Sequence, residues 1–204
     1  MQLGADLTGE LFIEGFGSSV SLSLDGSVLA VGSSTCGNTA QGERVGTARV
    51  FKFDGSQWQQ LGADVSDPGG ECTGVNVELS GDGSTLFNPR GASPVYRFNG
   101  TDWQAESGNF GVDSWNIGDL SRDGRSLLFG RSPLRAFRFN DQSWEPMAVG
   151  VVGDDPVLAN AQFGQDDLTV VLASRALGSD GGARVLRLQS SFRTWANDVF
   201  AAVR

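Results

Sequence analysis

Phe51-Lys52-Phe53-Asp54-Gly55, followed by Trp58, is the stretch from which the fold can be read. Aromatic, base and aromatic alternate as in a half-buried β-strand. Asp-Gly then turns the chain tightly, and Trp opens the returning strand. The unit recurs as Tyr96-Arg97-Phe98-Asn99-Gly100 with Trp103, and as Phe137-Arg138-Phe139-Asn140-Asp141 with Trp144. A worn copy is Leu186-Arg187-Leu188 running to Trp195. Upstream of each lies a second motif: Leu22-Ser23-Leu24-Asp25-Gly26, Leu79-Ser80-Gly81-Asp82-Gly83 and Leu120-Ser121-Arg122-Asp123-Gly124. Its fourth copy, Phe163-Gly164-Gln165-Asp166-Asp167, has lost the Gly. A third motif, Gln2-Leu3-Gly4-Ala5-Asp6, returns as Gln60-Leu61-Gly62-Ala63-Asp64.

Each copy reads as four short strands. Val20 to Ser23 alternates, Asp25-Gly26 turns, and Val28 to Gly32 returns as a nearly continuous apolar strand. Ala48 to Phe53, the Asp-Gly turn and the Trp strand complete the unit. One such unit cannot bury both of its faces, but units stacked around an axis can. The expectation is an all-β propeller of about four four-stranded blades in a single domain, 1–204, with blades near 15–63, 74–108, 114–150 and 159–195. Gln2 to Asp6 resembles the second half of an outer strand and is expected to pair with the last blade and close the ring; the alternative is that Trp195 opens the fourth blade's own outer strand and the chain is a fragment or half of a larger ring. Thr194 as N-cap, with Trp195, Val199 and Val203 one turn apart, suits a short terminal helix leading into the tail 196–204.

Composition narrows the function. The 204 residues carry a net charge of −9, with a pI near 4.4, which argues against nucleic acid and anionic lipid as partners. His is absent, which removes His-based triads, general bases and zinc–His sites. No apolar run is long enough to span a bilayer. With 29 Gly, tight turns are favoured over long helices.

Phe16-Gly17-Ser18-Ser19-Val20-Ser21-Leu22-Ser23, continuing through Leu29-Ala30-Val31-Gly32-Ser33, resembles the FG-GAP repeat of integrin-alpha-type propellers. The likeness is good in the first copy and partial in the others. It implies a propeller that binds other proteins or glycans, usually outside the cytoplasm. Many FG-GAP repeats hold calcium in an Asp-x-Asp-x-Asp-Gly loop. Here that loop has shrunk to Asp25-Gly26, too few oxygens for Ca²⁺, so no metal or cofactor is carried over.

The short Asp-Gly and Asn-Gly turns share one end of the blades. The longer connections, 33–46, 64–74, 150–159 and 174–182, share the other, and variable loops on a rigid scaffold are where binding residues collect. The candidate binding residues there are Glu43, Arg44, Asp67, Glu71, Trp115, Asp154, Asp155 and Asp180, with Asp64, Asp113 and Arg175 adding to a mostly acidic surface. A protein or glycan partner, and a place as a subunit of a larger complex, fit such a surface. Cys36 and Cys72 fall on neighbouring loops, so a disulfide and an oxidising compartment are expected. Asn99-Gly100-Thr101 is both a glycosylation sequon and an Asn-Gly hairpin turn. The repeated Trp residues read as core rather than as sugar-stacking platforms, and Lys52, Arg97, Arg138 and Arg187 as a stripe along the blade edges. The protein is read as non-enzymatic. The alternative is a carbohydrate-binding or glycoside-processing propeller using Glu78 and Asp119, the one carboxylate pair at matched inner-strand positions.

Overall fold

A computed structural model of the chain describes residues 1–10, 15–34, 46–66, 74–89, 93–108, 110, 117–130, 134–148, 158–174 and 182–187. Among them are β-strands and no helix. The chain sorts into two compact units, Met1–Glu106 and Ser107–Arg204. The first unit holds two four-stranded antiparallel meanders. One is β1 (Phe16–Leu22), β2 (Val28–Ser33), β3 (Thr47–Phe53) and β4 (Trp58–Gln60); the other is β5 (Glu78–Leu79), β6 (Thr85–Phe87), β7 (Val95–Phe98) and β8 (Trp103–Ala105). The second unit holds β9 (Ile117–Leu120), β10 (Ser126–Gly130), β11 (Arg135–Phe139) and β12 (Trp144–Ala148), then β13 (Leu158–Phe163), β14 (Thr169–Ser174) and β15 (Gly182–Arg187). The last sheet has three strands among the described residues. The expected outer strand with Trp195, and the expected terminal helix, lie outside them.

Both hairpins of a blade are set by their motifs. In the first, Asp25 Oδ1 accepts from the Ser23 hydroxyl at 2.8 Å and the Ser27 N–H at 3.0 Å, and Ser23 Oγ accepts from Val28 N–H at 2.9 Å. Gly26 sits at φ 73°, where a side chain would strain the turn. Asp82 and Asp123 repeat the arrangement with Ser80 and Ser121. In the second hairpin Asp54 Oδ1 accepts from Ser56 and Gln57 N–H, as Asn99 does from Thr101 and Asp102, and Asn140 from Gln142 and Ser143. Each turn brings an aromatic directly opposite the Trp: Phe53 and Trp58 at 5.2 Å, Phe98 and Trp103 at 5.4 Å, Phe139 and Trp144 at 5.6 Å between ring centroids.

The core lies between successive sheets. In the first unit Val28, Ala30, Ala48 and Val50 of β2 and β3 pack on Val77, Leu79, Leu86, Tyr96 and Trp103 of the following sheet. In the second unit Leu128, Leu134 and Ala136 pack on Ala161, Val170 and Leu172, with Phe163 and Leu186 beside them. Within each unit, register alternation sends one row of the first sheet's strands into the second sheet.

The Gln-Leu-Gly-Ala-Asp motif corrects an expectation. Residues 2–6 form no strand. Instead Leu3 C=O accepts the Trp58 indole N–H at 3.1 Å, and Gly4, at φ 74°, lies where a Cβ would stand 3.2 Å from the Trp58 ring. The second copy does the same one blade later. Leu61 C=O accepts the Trp103 indole at 2.8 Å, and Gly62 takes φ 77° with its Cβ position 2.9 Å from the ring. The motif is therefore a linker clamped under the Trp of the blade that follows it, and only Gly can lie that close to the ring. Blade three lacks the motif. Its Trp144 is almost fully buried, and its indole N–H has no hydrogen-bond partner among the described residues.

That difference is measurable. Trp103→Phe removes a hydrogen bond and strands the Leu61 carbonyl, whereas Trp144→Phe removes ring volume alone. Trp103→Phe should cost about 1 kcal/mol more than Trp144→Phe in urea denaturation. Equal costs would show that the indole clamp contributes nothing.

Candidate interaction surfaces

Within each blade the meander places the motif turns at one end and the remaining connections at the other. The turn end is chemically closed. The Ser27 N–H, then the Ser23 and Ser27 hydroxyls, hold the Asp25 carboxyl down at about 2. The Gln57 and Ser56 N–H groups do the same for Asp54, also to about 2. Burial works against ionisation of Asp82, but the Ser80 hydroxyl, the Ser84 N–H and hydroxyl and the Arg97 charge outweigh it, so it too is more acidic than usual. The N–H groups of Ala63 and Trp103 lower Asp102, and those of Thr169 and Leu168 lower Asp166. Asp102 thereby ties the linker, through Ala63 at 2.9 Å, to its own blade.

The basic stripe belongs to the same end and is internal to the blades. Arg97 reaches Glu106 at 2.9 Å and the Thr85 hydroxyl at 2.9 Å, directly across β6. Arg138 reaches Asp123 at 3.3 Å and the Ser126 hydroxyl at 2.5 Å, and Arg187 lies 3.8 Å from Asp166. In blade one the hydroxyl position is Val28, and the residue opposite it is Lys52, which is exposed.

The polar inner-strand positions also serve the scaffold. Ser21 Oγ accepts the N–H of Leu79 in the next sheet at 2.9 Å. At the equivalent position in the second unit, the Asp119 carboxylate accepts the N–H of Phe163. Asp119 is buried, and its charge is committed to this link between sheets. Glu78, at the same register position, is half-buried in the first unit. The Trp rings are not stacking platforms: Trp103 and Trp144 are buried and Trp58 is half-buried beneath Gly4.

Of the loop residues expected to bind, Asp64 is described, and it is not a free acid: it pairs with Arg49 at 3.0 Å and accepts from Gln60 at 2.8 Å. Glu43, Arg44, Asp67, Glu71, Asp113, Trp115, Asp154, Asp155, Arg175 and Asp180 lie outside the described residues, as do Cys36 and Cys72. Asn99 is exposed, and its side-chain carbonyl closes its own turn. One surface escaped the sequence reading. Val20 and Leu22 on β1, with Leu24 just beyond it, stand open to solvent. Their counterparts Val77 and Leu79 are core, so the apolar alternation was visible, but nothing in the pattern marked the first copy as uncovered.

Crystal structures resemble the chain at the level of fold. TolB from Acinetobacter baumannii matches 85% of the chain at a TM-score of 0.51 and 19% identity. Saccharomyces cerevisiae Sqt1 matches 84% at 0.54 and 16%. The fold is a β-propeller. The chain spans less than half of each of these proteins, 41% and 46% of their lengths. No family model and no curated protein matches it.

The turn carboxylates set a pH dependence. Each is more acidic in the folded chain than in the unfolded one, so its stabilisation is complete above the unfolded pKa and is lost as pH falls through the folded one. The thermal midpoint should therefore hold steady from neutral pH down to about 5, then drop between about 4 and 2. Asp25→Asn and Asp54→Asn should each flatten that drop in calorimetry. An unchanged acid limb in both variants would refute the assignment.

Proposed function

We propose that the protein is a non-enzymatic binding module. It presents the loop end of its blades to a protein partner, as a peripheral subunit of a larger assembly or as a secreted adhesion-type module. The contrast between the two blade ends carries this reading. At the turn end the motif carboxylates and amides among the described residues are spent on their own turn or on a neighbouring one. At the other end the connections 34–46, 88–94, 131–134 and 175–181 differ in length and composition from copy to copy. A propeller fold is compatible with protein binding, and the buried, hydrogen-bonded Asp119 weighs against a glycosidase pair.

Kinship with FG-GAP propellers, without their calcium loop, is part of the proposal, supported by Phe16-Gly17 and by the Asp25 carboxylate being used within its own turn. So is an oxidising, extracellular or lumenal compartment in which Cys36 and Cys72 pair. Intact mass before and after reduction and alkylation tests that bond.

The function is tested by capturing the native protein gently from its source and identifying stoichiometric companions by mass spectrometry. Neutralising Asp67, Glu71, Asp154 and Asp155 to their amides should abolish the companion. The thermal midpoint is read alongside, so that loss of the companion is told apart from loss of the fold. A companion retained by that variant, or a protein captured alone, overturns the reading.

A further inference from the structure

The outer hairpins of blades one, two and three turn on Asp54, Asn99 and Asn140, and in each the side-chain Oδ1 accepts two backbone N–H groups. They differ in the use of the second side-chain atom. Asp54 Oδ2 accepts from the Gln59 amide at 3.5 Å, and Asn140 Nδ2 donates to Glu145 at 2.8 Å. The residue of blade two at that strand position is Gln104, and it does not engage the turn. Among the described residues, Asn99 Nδ2 donates to nothing. Asn99, Gly100 and Thr101 are all exposed, and a Cβ at Gly100 would meet nothing within 4 Å.

The same three tips also differ in sequence. Asp54-Gly55-Ser56 has a hydroxyl two residues on but no amide, and Asn140-Asp141-Gln142 has the amide but no hydroxyl. Asn99-Gly100-Thr101 has both, and it is the one Asn-x-Ser/Thr triplet in the 204 residues. The single acceptor triplet of the chain thus coincides with the single tip whose amide nitrogen is left open. A turn needs only the Oδ1 of its first residue, so nothing about closing this hairpin requires either the amide nitrogen or the Thr101 hydroxyl.

We propose that Asn99 carries an N-linked glycan. The donor is an oligosaccharide held on a lipid pyrophosphate. Asn99 Nδ2 bonds to the anomeric carbon of the sugar and gives up a proton, while the carbon–oxygen bond to the pyrophosphate breaks and its electron pair leaves with the phosphate oxygen. The N–H groups of Thr101 and Asp102, each 2.9 Å from Oδ1, stabilise the negative charge that loss of that proton places on the oxygen. Both turn bonds run through Oδ1, so a sugar on Nδ2 leaves the hairpin closed, with open space at Gly100 to receive it. The glycan stands at the turn end of blade two and leaves its loop end clear. The inference rests on the lumenal or extracellular compartment proposed above, where such donors are used.

The test is a tryptic map of the protein captured from its source. Peptide 98–122 should carry a glycan mass that an amidase for Asn-linked sugars removes. Release in heavy-oxygen water should label the aspartate that is left, which spontaneous deamidation of Asn99-Gly100 beforehand would not do. Expressed in a secreting eukaryotic host, Thr101→Ser should keep the glycan, and Thr101→Ala and Asn99→Asp should lose it. Thr101→Ala keeps the N–H that closes the turn, and Asp54 closes the same turn with a carboxylate, so both variants should match the parent's circular dichroism. A bare Asn99 in the native protein overturns the inference, and so does a glycan that survives Thr101→Ala. The same digest reads Cys36 and Cys72. Paired cysteines beside a bare Asn99 overturn the glycan and leave the compartment standing, whereas free thiols beside it overturn both.

Discussion

A sheet of three or four short strands has two faces and too little area to be stable on its own, so every blade depends on its neighbours to cover it. The two apolar clusters, one in each unit, lie at these sheet-to-sheet contacts. The chain distributes its residues accordingly. Small side chains, Ala30, Ala48 and Val50, line the side that receives the next blade, and larger ones, Leu79, Leu86, Tyr96 and Trp103, fill against it. In the second unit the sizes are exchanged, with Leu128 and Leu134 on the receiving side and Ala161 and Val170 against them, so what is kept from one contact to the next is apolar complementarity rather than a fixed order of sizes.

Polar groups then set the register of that packing. Ser21 and Asp119, alike in position and unlike in chemistry, both offer an oxygen to a backbone N–H of the following sheet. The Trp clamp does the same at the outer edge, by giving a donor to the linker carbonyl. Where a copy has drifted, the loss is offset nearby. Blade four replaces the turn Gly by Asp167 at φ 53°, a conformation that Asp tolerates better than most residues. Its carboxylate takes the N–H groups of Arg122 and Asp123 in the preceding turn. Blade one replaces the hydroxyl partner by Val28 and the crossing Arg by Lys52, so both halves of the cross-strand pair change together.

Much of this could be read from the sequence because the motifs are local. The Ser-x-Asp-Gly and Asp/Asn-Gly turns, and the aromatic opposite each Trp, involve residues a few positions apart, and their spacing states their geometry. The linker motif was legible as a repeat and illegible as a clamp. Its partner Trp58 lies a whole blade downstream of Leu3, and an isolated Leu-Gly reads equally well as strand. The pairing of Asp64 was illegible for the same reason: its partner Arg49 is set by the return of β3, not by any local pattern. Exposure of Val20 and Leu22 is less visible still. It is a property of what stands beside blade one, and the first copy encodes the same alternation whether or not anything does.

The identical alternation in covered and uncovered copies bears on what the exposed side chains of β1 are for. A surface selected only to meet water would replace Val20 and Leu22 by polar residues at no cost to β1, because alternate positions on an exposed strand face are free to be polar. The strand already carries Ser19 and Ser21 on its other face, so polar residues are tolerated in that backbone. The face that carries Val20 and Leu22 is buried at Val31, Arg49 and Phe51, so the alternation of β1 continues a row that the chain covers over β2 and β3 and leaves open at Val20 and Leu22. Val171 and Val185 on β14 and β15 are likewise exposed. The loops at one end of the blades and these exposed apolar side chains are thus separate surfaces under separate constraints, the first free to vary and the second held to the alternation of a blade strand.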